Sequence, residues 1–77
     1  MVLGLRRAIV TETTLFTIHG APMRDVTLVY EDGQTDQARL GRESAPDDLR
    51  AGERVLVRSV MRTIVEIVRQ EDGAGDP

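Results

Sequence analysis

The sequence predicts an all-β domain, a small barrel of five to six strands with one short helical turn before its last hairpin. Three observations carry this prediction. Apolar and polar residues alternate at the two-residue period of a strand through residues 24–30, and residues 5–13 read as extended with Ala8 and Val10 sharing a face. Residues 53–69 are crowded with β-branched side chains (Val55, Val57, Val60, Thr63, Ile64, Val65, Ile67, Val68), which are stiff at χ1 and suit a pleated surface. Turn residues punctuate these runs at Gly20 and Pro22, at Asp32 and Gly33, and at Gly52.

Residues 5–13 read as a first strand with Ala8 and Val10 on one face and Ile9 on the other; residues 15–18 continue it beyond a bend near Thr13 and Thr14. His19, Gly20, Ala21 and Pro22 form a turn. Residues 24–30 alternate Val26, Leu28 and Tyr30 against Asp25, Thr27 and Val29. The returning strand, residues 34–40, is apolar only at Ala38 and Leu40, which sets the register. A two-residue loop of Asp32 and Gly33 would oppose Val26 to Arg39, whereas a three-residue loop of Glu31, Asp32 and Gly33 opposes Val26 to Ala38 and Asp25 to Arg39. The second form is expected, with Gly33 left-handed beside a bulge. Residues 41–46 form a loop, and Asp47, Asp48 and Leu49 one helical turn, with Ser44 at capping-box spacing from Asp47.

Residues 53–69 admit a second reading. At about 100° per residue Leu56, Val57, Val60, Met61, Ile64, Ile67 and Val68 gather on one side of an amphipathic helix, opposite Arg54, Arg58, Arg62, Glu66 and Arg69. The β-branched content favours a hairpin. With a loop of Val60, Met61 and Arg62, Val57 faces Val65, Val55 faces Ile67, and Glu53 meets Arg69 at the open end. Val55, Val57, Val65 and Ile67 then form the inner face. The outer face mixes Arg54, Leu56, Arg58, Ile64, Glu66 and Val68, with Val60 and Met61 at the tip.

The 77 residues suffice for one domain, residues 1–70, followed by an acidic, Gly-rich tail at residues 71–77 that is expected to be disordered. A chain this short buries only roughly 60% of its unfolded surface, so a closed barrel or self-association would have to supplement its core. It has no cysteine, hence no disulfide or thiolate metal site, a composition that fits the cytoplasm. No apolar run approaches the ~20 residues of a membrane span, and Arg6 and Arg7 follow the short apolar start, the reverse of a signal peptide's order.

Function classes narrow by residue type. His19 is the only histidine and lies in a turn signal, without companion ligands for a metal. There is no Cys or Lys nucleophile, no G-x-S-x-G pattern and no Gly-rich phosphate loop. The acidic pairs Glu31/Asp32 and Asp47/Asp48 suit a turn and a helix start. The expectation is therefore a non-enzymatic chain without cofactor or metal. All ten basic residues are arginine, which is read first as the codon bias of a GC-rich genome and only second as a preference for bidentate anion contacts. The net charge of −3 disfavours general polyanion binding.

The segment order, with one helical turn before the last hairpin, gives an OB-like or SH3-like barrel. The turn at Asp32 and Gly33 followed by Leu49, Gly52, Glu53, Val55 and Val57 resembles, over residues 26–68, the TOBE-type accessory barrel of ATP-binding transporter subunits. A second resemblance is to small hydrogenase-maturation chaperones of the HypC type, which share this length, a Met-Cys-Leu start and a G-D-x-V-L-V-H run. Here Met1, Val2 and Leu3 precede Gly52, Glu53, Arg54, Val55, Leu56, Val57 and Arg58. Val2 thus falls on the family's functional cysteine and Arg58 on its histidine, so no site carries over.

Two functions follow as expectations. The first is a protein-binding or self-associating module, expected as a homo-oligomer, acting through Arg54, Leu56, Arg58, Val60, Met61, Ile64, Glu66 and Val68. The alternative is a single-stranded nucleic-acid-binding domain using a strip of Arg6, Arg7, Arg54, Arg58 and Arg62. Its aromatic complement is thin, since Phe16 and Tyr30 are both expected in the core.

Overall fold

The computed structural model describes residues 3–70; the expected disordered tail and the Val2 position of the chaperone resemblance lie outside them. Five strands form one antiparallel sheet: β1 (Leu3–Ile18), β2 (Ala21–Tyr30), β3 (Thr35–Gly41), β4 (Arg54–Val60) and β5 (Thr63–Arg69). Their order is β3-β2-β1-β4-β5, so β1 is central, while β3 and β5 are edges that do not pair with each other. The all-β expectation holds, whereas the sheet does not close into a barrel by hydrogen bonds. Its inner face nevertheless forms one core, to which β3 supplies Leu40, β2 Val26, Leu28 and Tyr30, β1 Ala8 and Val10, β4 Val55 and Val57, and β5 Ile64 and Ile67. The sheet therefore curls around that face, and Leu49 from the β3–β4 connection fills its open side.

The β2–β3 hairpin has the expected register, with Val26 opposite Ala38 and Asp25 opposite Arg39. Gly33 has φ 89°, and its N–H donates to the Tyr30 carbonyl at 2.9 Å, closing the three-residue loop. Arg39 donates to Asp25 outside, from Nε at 2.9 Å.

The last hairpin differs. Val60 pairs with Thr63, so the loop is only Met61 and Arg62, with φ of 52° and 72°. These are the positive φ values of a type I′ turn, adopted by two residues that do not favour them. Carried through unchanged, that register would set Glu66 opposite Val57 on the apolar face. A bulge at Val65 prevents this: Val57 meets Ile67 inside and Arg58 meets Glu66 outside. The expected roles of two neighbours are exchanged, since Ile64 is 8% exposed and Val65 38%.

β1 uses the same device. Its bulge lies at Thr11, earlier than the expected bend at Thr13 and Thr14, between the Val10–Leu28 and Glu12–Thr27 pairs. Without it Glu12 would turn inward opposite Val26; with it Glu12 is exposed and Thr13 takes the inner position. Both bulges thus expel a glutamate from the core. The Thr11 hydroxyl secures the first by donating to the Thr27 carbonyl at 3.1 Å.

The β3–β4 connection carries a 3-10 turn at Arg42–Ser44 in place of the helical turn expected at 47–49. Arg24, buried on β2, holds this connection by donating to the carbonyls of Asp47 and Leu49 and to the Thr13 hydroxyl. Further along, the Gly52 N–H donates to the Val10 carbonyl at 2.7 Å and Val10 N–H to Glu53 at 3.0 Å, leading the chain into β4. Arg69 of β5 donates to Glu53 and Asp48, the expected charge pairing at the hairpin's open end with a second carboxylate added. These hydrogen bonds hold both carboxyl groups below their ordinary range.

Candidate functional site

The outward side chains of β1, β4 and β5 build one continuous face. Strand pairing aligns them in rows: Leu5, Arg58 and Glu66, then Arg7, Leu56 and Val68, then Ile9 and Arg54. Apolar and charged residues alternate along each strand. Leu5 is 64% exposed, Ile9 43% and Val68 40%, and Leu56 is half-buried between them. β1 lies beside β4 in the sheet, and the connection containing Leu49 closes the inner side, so neither covers this face.

Of the interface residues expected from sequence, Arg54, Leu56, Arg58, Glu66 and Val68 share the face. Val60 is half-buried at its end, and Met61 is exposed at the hairpin tip. Ile64 is a correction, buried on the opposite side because the bulge inverts the alternation. Leu5 and Ile9 were missed. The signal lay in the alternation of residues 5–9, which puts Leu5, Arg7 and Ile9 on the face opposite Ala8.

The arginine strip is also corrected. Arg7, Arg54 and Arg58 lie on the outer face, whereas Arg6 stacks on the Tyr30 ring at 3.8 Å and donates to Asp32 at 3.1 Å on the other side of the sheet. Arg62 borders the same opening as Arg6, with Tyr30, Gln34 and Asp36. Tyr30 is in the core as expected, its hydroxyl donating to Asp36 at 3.0 Å; burial, first, and that carboxylate raise its pKa to about 12. Phe16 is not in the core. It stands half-buried with the Arg39 guanidinium 4.8 Å above its ring.

Charge gives the outer face its character. It carries three arginines and one glutamate on a chain whose net charge is −3. Arg58 pairs with Glu66 at 3.5 Å, and Arg7 approaches Glu31 at 4.0 Å. Exposed pairs of this kind contribute little to stability, so these guanidiniums can exchange partners at small cost. His19 sits exposed on the β1–β2 turn with φ 49°. Among the described residues no group of three or more His, Cys, Asp or Glu assembles as a metal site, and no helix is long and apolar enough to cross a membrane.

Compared with protein families, curated proteins and solved structures, the chain has no match, and neither the transporter-barrel nor the maturation-chaperone resemblance gains support.

Proposed function

We propose that this chain is a non-enzymatic protein-binding module whose outer β1–β4–β5 face receives a partner presenting acidic and apolar groups together. One observation carries the reading: a sheet face, left open by the other described residues, that alternates Leu5, Ile9, Leu56 and Val68 with Arg7, Arg54 and Arg58. An ordinary solvated sheet face is polar, and apolar residues spaced among arginines match the composition of interface cores and rims. A second copy would bring three more arginines against these, so an acidic partner is favoured over self-association. Three adjacent strands at ~4.8 Å spacing also make a narrow platform, suited to a transient complex.

The strand order supports an OB-like form with its β3–β5 seam open, since both edges contribute to one core. The absence of cysteine supports a cytoplasmic setting. Single-stranded nucleic-acid binding is the weaker reading, because three of the five expected arginines share the face and neither aromatic residue lies on it.

A photo-crosslinking residue at Leu5, introduced in the source cells, tests the proposal. A covalent adduct with another protein is expected, lost on Arg54→Glu with Arg58→Glu and absent when the crosslinker replaces Thr27 on β2. An adduct with a second copy or with nucleic acid, or no adduct, would reject it.

A further inference from the structure

A separate site lies at the other end of the sheet. Leu15, Arg24 and Leu40 form one row across β1, β2 and β3, at the edge of the core. Together with Met23, Ala45 and Pro46 they line a pocket of about 240 Å³. Its apolar wall is open to solvent, Leu15 being 63% exposed. Arg42 and Asp47 also line it and pair with each other at 3.4 Å, so the three charged residues of the lining sum to one positive charge.

That charge belongs to Arg24, only 9% exposed and with no carboxylate oxygen within 4.0 Å among the described residues. Both Nη1 hydrogens are used, one on Thr13 Oγ1 at 2.9 Å and one on the Leu49 carbonyl at 3.3 Å. Nη2 donates once, to the Asp47 carbonyl. Nε–H and one Nη2–H remain without a protein acceptor among the described residues, leaving a guanidinium that lines the pocket with donors to offer a carboxylate. A buried cation held only by neutral acceptors gains most from an anion beside it.

We propose that this pocket binds a small free acid, a single carboxylate on an apolar body, with the carboxylate on Arg24 and the body against Leu15, Met23 and Leu40. The volume sets the size. At ~30 Å³ per water it holds roughly eight waters, below the ~300 Å³ at which drug-sized pockets begin, so an acid of about eight to ten heavy atoms fits.

Titration of the full ¹⁵N-labelled chain with phenylacetate, followed by amide shifts at constant ionic strength, tests this. Saturable shifts at Met23, Arg24, Leu40 and Gly41 are expected. The neutral isostere phenylacetamide should bind at least tenfold more weakly, and acetate, which has the charge without the body, likewise. Leu15→Glu, at an exposed position, should weaken phenylacetate at least tenfold. Asp47→Asn, which keeps the carbonyl facing Arg24 and removes the carboxylate from the lining, should tighten it severalfold. Unsaturable shifts, equal binding of acid and amide, or equal binding of acetate would overturn the proposal. Tighter binding of a peptide ending in a leucine carboxylate would overturn the free-acid assignment. Leu5→Glu, on the outer face, should leave the titration unchanged, which separates this site from the protein-binding reading.

Discussion

Replacing Ile64 and Val65 by alanine, one at a time, tests the bulge that organises the last hairpin. Ile64→Ala removes three carbons from a side chain 8% exposed. At ~0.8 kcal/mol per buried carbon this costs about 2.4 kcal/mol, and the cavity left behind extends the expected range to about 2–5 kcal/mol. Val65→Ala removes two carbons from a side chain 38% exposed and should cost less than about 1 kcal/mol. A 77-residue chain has on the order of 4–12 kcal/mol in total, so the first loss is a large share of it. Urea unfolding followed by far-ultraviolet circular dichroism measures both. With a slope of about 1 kcal/mol per molar, Ile64→Ala should lower the midpoint by about 2 M or more and Val65→Ala by under about 1 M. The reverse order would restore the three-residue loop of Val60, Met61 and Arg62, and would refute the argument that Glu66 is expelled by the bulge.

The β4–β5 turn should accept improvement: Met61→Asn with Arg62→Gly supplies residues suited to positive φ and should raise stability by about 1–2 kcal/mol in the same urea assay. Above pH 10 stability should fall, because the folded Tyr30 pKa of about 12 exceeds its ordinary value of 10.0 and the unfolded chain loses the proton first. Phenolate absorption reports this without ambiguity, since Tyr30 is the only tyrosine, and Tyr30→Phe should flatten the thermal-melting profile in that window. At the acid end, Glu53 and Asp48 have folded pKa values below the ordinary 4.5 and 3.8, so their stabilisation is present above those values and is lost as pH falls through the lowered ones. Arg69→Ala should remove most of that dependence, read as melting temperature against pH.

Much of this fold was legible in the residues because the β2–β3 hairpin offers only one register that keeps Val26 and Ala38 together and frees Asp25 for Arg39. Gly33 also announced its loop. The bulges were harder to read. Period-two alternation carried from Ala8 and Val10 puts Glu12 on the inner phase against Val26, and that conflict was the available signal for the first bulge. Residues 63–69 gave no such signal, because the three-residue loop already kept Glu66 outside; only the tighter Val60–Thr63 pairing demands the second bulge, which moves Ile64 into the core. The tight turn at Met61 and Arg62 carried no Gly or Asn to announce it. The outer face was half legible: its β4 and β5 members followed from composition, while Leu5, Arg7 and Ile9 joined them only through the long-range β1–β4 pairing. Arg24 gave no local signal, because its burial depends on carbonyls more than twenty residues away in the chain.

The central claim, that the β1–β4–β5 face receives an acidic and apolar protein partner, is tested most directly by the Leu5 photo-crosslink compared with Thr27 in the source cells. The account predicts an adduct at Leu5 alone with a partner whose contacted segment is rich in Asp or Glu and leucine-like residues, abolished by Arg54→Glu with Arg58→Glu while the purified double variant keeps the wild-type urea midpoint. Equal labelling from both positions, or an adduct that survives the charge reversal, would contradict it.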